Sequence, residues 1–229
     1  MSEVATASAP SASTPRSRTL SALEFLLGAA IVIGHNVYRV VPNEVPILFV
    51  LGWLSIRWRD GGWRNVGLAR PRSWKWTLAI AAAAAGLRIL LGDFVIEPLA
   101  TRVWPPIKAP EGAEAITGDW KQALLWLLLI WTFAAFGEEM SYRGYLLNRA
   151  ADLGKRSTAA YWIACVVVAV LFGYGHYYKG PAGILDSGMA GLILGAAYLL
   201  SGRNLWTAIL AHGFIDTFGV IAAYLGWDT

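Results

Sequence analysis

Cysteine and charge are both scarce in this sequence, and each scarcity removes something. The one cysteine, Cys165, sits inside the apolar run WIACVVVAV, so no internal disulfide can form and no CxxC metal or redox motif exists. Charged residues make up only 15% of the 229, against 56% hydrophobic ones and a mean hydropathy of +0.49. One soluble core of this length cannot bury so much apolar surface, so the excess must face lipid. Internal repeats are absent too, and with them the paired halves of many transporters. The formal charge of +4 would suit nucleic acid, but the basic residues lie in short connections between apolar segments, where they set membrane orientation instead. Membrane lipid is therefore the expected partner, and nucleic acid is not.

What is present is a series of apolar runs. Crossing the hydrocarbon layer takes about 20 apolar residues, and such runs occur near 20–41, 76–98, 120–140, 158–176, 181–200 and 204–226. The shorter run 45–56 makes a seventh, or else a re-entrant or interfacial piece. The expected fold is all-α, a multi-spanning helical bundle. Residues 1–19, rich in Ser, Ala, Thr and Pro, read as a disordered tail. Residues 20–229 read as one membrane-embedded domain.

Lys and Arg in the connections give the orientation. Arg57, Arg59, Arg64, Arg70, Arg72 and Lys75 crowd one connection, and Arg149, Lys155 and Arg156 another, whereas 99–119 carries Glu111, Glu114 and Asp119 against Arg102 and Lys108. Seven spans with the N-terminus in the cytoplasm satisfy all of these signs. Most of the twelve tryptophans, Trp58, Trp63, Trp74, Trp76, Trp104 and Trp120 among them, fall near span ends and read as interfacial belts. Gly188, Gly191 and Gly195, with the run AIAAAAAGL, predict close helix packing through small residues.

Ionisable residues inside spans are expensive, at several kcal/mol each, so each needs a partner or a purpose. Glu138, Glu139 and Arg143 form one cluster. On a helix Glu139 and Arg143 are i and i+4 neighbours and can pair, while Glu138 points about 100° away. Phe172 with His176 and His212 with Asp216 form two more, again at i and i+4 spacing. If the helix begun near Trp120 continues to the basic connection, Glu138 lies about 25 Å above Lys155, and His176 about 30 Å above Arg156 on the next helix. The two share a depth. His212, nine residues past Arg203, needs tilt or a broken helix to join them. A carboxylate beside an imidazole in a low-dielectric cavity suits water activation, with a second imidazole donating to the oxyanion. Glu138, His176 and His212 are equally good ligands for a divalent metal such as zinc, and spacing alone does not choose, although no HExxH helix is present. His35 reads as interfacial, and Glu24, Arg88 and Asp93 as embedded charges that snorkel or pair.

Three motifs carry a resemblance. EExxxR appears as Glu138, Glu139 and Arg143, FxxxH as Phe172 and His176, and HxxxD as His212 and Asp216, in that order within about 120–220. The chain thereby resembles the CAAX prenyl endopeptidase and bacteriocin-processing (CPBP, or Abi) family of intramembrane peptidases. The resemblance implies a helical bundle with a water-accessible cavity in a bacterial or archaeal plasma membrane. It also implies peptide-bond hydrolysis without a covalent intermediate and with no required cofactor. Carried over by position, Glu138 and His176 activate water, and His212 and Asp216 bind the oxyanion or orient its donors. Glu139 and Arg143 hold the helix, and Phe172 shapes the cavity. Asp216 departs from the asparagine of the prenyl-protein branch. A carboxylate donates only when protonated, so it either orients His212 or favours a metal. Prenylated substrates and bacterial-type peptide processing both stay open. Two other classes remain: a catalytically silent immunity or scaffold relative, and a proton-coupled transporter.

Overall fold

The computed structural model describes residues 17–104 and 116–227. Among these, seven long helices follow one another: α1 Arg18–Asn36, α2 Glu44–Arg59, α3 Trp74–Val103, α4 Trp120–Leu153, α5 Thr158–Tyr174, α6 Tyr177–Leu200 and α7 Leu205–Leu225. All seven apolar runs are helical, including the short one, and α4 does continue to the basic connection. Residues 1–16 of the expected tail, and Lys108, Glu111 and Glu114, lie outside the described residues. The tail's last residues are helical, because Ser17 accepts a hydrogen bond from the Leu20 amide and starts α1 at Arg18.

Six of the seven helices start the same way, on a side chain that takes up an otherwise unpaired first-turn amide. Besides Ser17 these caps are Asn43, Ser73, Asp119, Ser157 and Asn204. The exception, α6, enters its α-helical part through Gly180 with a proline in the first turn, where the missing N–H costs nothing.

The packing is inside-out relative to a soluble protein. Leu26, Phe94, Leu128, Ile163 and Leu200 are each more than 60% exposed, while Glu139, Arg143, Asn148 and Arg149 are buried. Such a surface belongs in lipid, where every buried polar group must find its partner within the bundle. Among the described residues five helices are long and apolar enough to cross a membrane, with α5 slightly shorter, and the chain is a multi-pass membrane protein.

Small residues set the helix spacing where the sequence predicts it. A Cβ on Gly191 of α6 would lie 3.2 Å from the Ala169 Cα of α5, and one on Gly195 would lie 2.5 Å from Cys165 Sγ. Ala81, Ala84 and Ala85 of α3 are buried, the first two in a core with Ile193, Leu194, Ala197 and Ala211. Trp63 corrects the belt reading. It is buried, stacks 6.4 Å from Phe49, and leaves Gly144 no room for a Cβ, which would lie 2.7 Å from its ring. Its place near a span end could not reveal that the connection folds back over α4.

Of the embedded charges, Arg88 and Glu24 find partners by tertiary contact. Arg88 pairs with Asp186 of α6 at 2.5 Å. At the basic end of the bundle, Arg149 is fully buried against Asp60, Asp152 at 2.9 Å and Glu24 at 2.9 Å. Arg59 reaches Glu24 at 2.7 Å, and Arg156 reaches Asp152 at 2.6 Å and Asp60 at 2.8 Å. This network ties α1 and α2 to the end of α4.

Candidate active site

α4 carries the first motif on an unusual backbone. It is π-helical over Ile130–Glu138 and again over Met140–Leu146. Thr132 and Ser141 turn their hydroxyls back to the carbonyls of Leu128 and Gly137, at 2.6 and 2.8 Å. That competition for carbonyls four residues back loosens α winding. π segments of any length are rare and concentrate at functional sites. Here the wide winding coincides with the residues that carry the charge.

Glu139 is the hub. One of its oxygens, Oε1, accepts from Arg143 Nη1 at 2.7 Å and from His212 Nδ1 at 2.8 Å. The other, Oε2, is buried without a hydrogen-bond partner. Arg143 also donates to the Gly191 carbonyl of α6 at 2.9 Å, and its guanidinium lies over the Phe172 ring at 4.6 Å. The second ring nitrogen of His212 faces Asp216 Oδ2 at 3.4 Å. His212 therefore bridges two carboxylates.

Phe172 sits among the other rings. Tyr142, His176 and His212 lie 5.0, 4.9 and 6.2 Å from it, the first and last edge-on. His176 lies just past the end of α5, two residues beyond the helix, rather than within it. Its Nδ1 donates to the Phe172 carbonyl at 3.0 Å, a contact in which only the ring can be donor. Nε2 is thereby left as the free acceptor nitrogen. Glu138 has no hydrogen-bond partner among the described residues, and the fields of His212, Asp216, Glu139 and Arg143 reach it. Glu138 and His176 share no direct hydrogen bond. His212 joins the cluster because α7 packs tightly on α4: Gly213 lies under the Trp131 indole, where a Cβ would be 2.4 Å away, and Trp131 Nε1 donates to Thr217 at 3.2 Å.

The expected pairing of Glu139 with Arg143 is present. Contact between Glu139 and His212, 73 residues apart, goes beyond the expected helix-holding role. Sequence reasoning also missed Glu44 and the Tyr142 hydroxyl. Both approach Gly175, where a Cβ would lie 2.9 Å from Tyr142 Oη and 3.8 Å from Glu44 Oε1. Glu44 is buried and faces His35 Nε2 at 3.3 Å, so His35 has a partner in the bundle rather than a purely interfacial place. No local spacing links His35 to Glu44; only the α1–α2 turn brings them together. Among the described residues no group of three His, Cys, Asp or Glu side chains is placed to hold a metal ion, and both ring nitrogens of His212 are turned to carboxylates.

The fold and this cluster define a class: a multi-pass helical membrane protein with carboxylates and imidazoles gathered inside it. Residues 120–218 match a family model, Rce1-like, described as type II CAAX prenyl endopeptidase Rce1-like. That segment holds all three motifs and is similar to the CAAX proteases, which bears out the resemblance drawn from the motifs. No curated protein and no solved structure matches the chain.

Proposed function

We propose that the chain is an intramembrane endopeptidase that hydrolyses membrane-associated peptide or protein segments. The observation that carries this reading is the 2.8 Å contact of His212 with Glu139, which joins the third motif to the first while Phe172 brings the second beside them. Three sequence-distant motifs gathered at one buried place, with polar atoms left unpartnered, are what a reacting site requires and what mere packing avoids. In the proposed reaction Glu138 and the free Nε2 of His176 hold one water between them and take its proton as its oxygen attacks the scissile carbonyl. His212, kept in place by Glu139, turns its Nε2–H from Asp216 to the developing oxyanion. The C–N bond then breaks as the stored proton passes to the leaving amine, giving a new carboxylate and a new amino terminus. The steps as proposed use no metal.

The charge distribution supports an N-terminus in the cytoplasm, with the Arg149 network on that side, in a bacterial or archaeal plasma membrane. The test is cleavage of a membrane-anchored reporter peptide, prenylated or plain, by the purified protein in detergent, with and without chelator. Specific cleavage that survives chelation is expected. Intact peptide under all conditions would favour the silent immunity or scaffold reading, and loss on chelation would favour the metal.

A further inference from the structure

The basic end of the bundle holds a cavity that the peptidase reading does not use. It measures about 300 Å³ and is lined by Arg156, Tyr161, Trp162, Leu200 and Arg203, among others. Arg156 already shares its charge with Asp60 and Asp152. Arg203 does not: it donates to the Tyr161 hydroxyl at 2.6 Å and lies over that ring at 4.7 Å, with no carboxylate within 4.0 Å among the described residues. No carboxylate lines the cavity. Its outer rim is apolar, with Leu200 70% and Trp162 38% exposed on the lipid-facing surface. The start of α5 adds Thr158, in the first turn whose amides lie near the unpaired end of the helix.

We infer that this cavity binds the phosphate of an anionic membrane lipid, with Arg203 as its main cation and the acyl chains running along Trp162 and Leu200. A guanidinium without a counter-ion at a rim of exposed leucine and tryptophan meets both halves of such a ligand, the anionic head and the apolar tail. The crowd of Arg57, Arg59, Arg64, Arg70 and Arg72 at the same end adds long-range attraction to an anionic leaflet but no pocket. A soluble phosphate would satisfy Arg203 but leave the apolar rim unused.

The test uses the full-length purified protein in a neutral detergent, its thermal unfolding followed while phosphatidylglycerol, phosphatidylcholine or glycerol phosphate is added. Phosphatidylglycerol is expected to raise the midpoint saturably, and the other two are not. Arg203→Gln should weaken the apparent affinity at least about ten-fold, the 1.4 kcal/mol of one charge-assisted contact. Since Arg203 also holds Tyr161, Leu200→Glu provides a second variant that leaves that bond intact and places a carboxylate at the rim; it should weaken binding likewise. Arg57→Gln, at the same end but outside the cavity, should bind as the wild type does. Equal responses to phosphatidylglycerol and phosphatidylcholine, or unchanged affinity in both Arg203→Gln and Leu200→Glu, would overturn the proposal. An equal response to glycerol phosphate would replace the lipid by a free phosphate.

Discussion

Glu138→Gln is expected to lower kcat/KM by about 10²–10⁴-fold while leaving thermal unfolding of the protein unchanged. Among the described residues Glu138 has no hydrogen-bond partner to lose, so the amide keeps the shape and removes only the base. Glu139→Gln should behave differently. Its Oε1 receives both Arg143 and His212, so neutralising it leaves a buried guanidinium and an imidazole without their shared anion. Removing one partner of a buried ion pair costs about 3–5 kcal/mol, and His212 would lose its anchor as well. Activity and unfolding midpoint should therefore fall together in Glu139→Gln. The measurement is a peptide-cleavage rate beside a thermal unfolding curve for each variant. Similar losses of stability in both would show that the two glutamates do not divide the work in this way.

Arg149→Ala is expected to be the most damaging substitution away from the site. Arg149 is fully buried and serves Asp60, Asp152 and Glu24 together, and Ser55 hydrogen-bonds it at 3.0 Å. Without it those three carboxylates lose the cation they share, and the uncompensated negative charge in the bundle should destabilise the fold by about 3–5 kcal/mol. Arg149→Lys restores one charge but not the planar fork that reaches several acceptors, so it should recover only part of that loss. Unfolding in mild detergent, followed by accessibility of the buried Cys165 thiol, measures both. An Arg149→Ala protein as stable as the wild type would mean that the network only decorates a bundle held by apolar packing.

How far these features were legible in sequence depends on the range of the interaction that makes them. Helix existence follows from local composition, and all seven apolar runs are helical. The Glu139–Arg143 pair follows from i,i+4 spacing on one helix. Interactions between helices were not legible in the same way. His212 pairs with Glu139, Arg88 with Asp186, and Arg149 with Asp60, and no periodicity encodes which distant carboxylate a buried cation will meet. Arg88 was readable only as an embedded charge in need of a partner, and Arg149 only as a connection charge that sets orientation. The π winding of α4 was hidden for a related reason: it depends on side-chain hydroxyls at Thr132 and Ser141, which also occur in plain α-helices. The depth argument for Glu138 and His176 assumed α-helical rise throughout and continued α5 through His176, whereas α5 stops at Tyr174.

The most direct test of the proposed chemistry is a double-mutant cycle on Glu138 and His176, read as kcat/KM for one membrane-anchored peptide. If the carboxylate and the free imidazole nitrogen act on a single water, Glu138→Gln or His176→Ala alone should remove nearly the whole rate enhancement. The double variant should then be little slower than either, because groups that act as one unit are strongly non-additive. Single variants that each keep most of the wild-type rate, or losses that simply multiply in the double variant, would contradict a shared water and remove this pair from the mechanism.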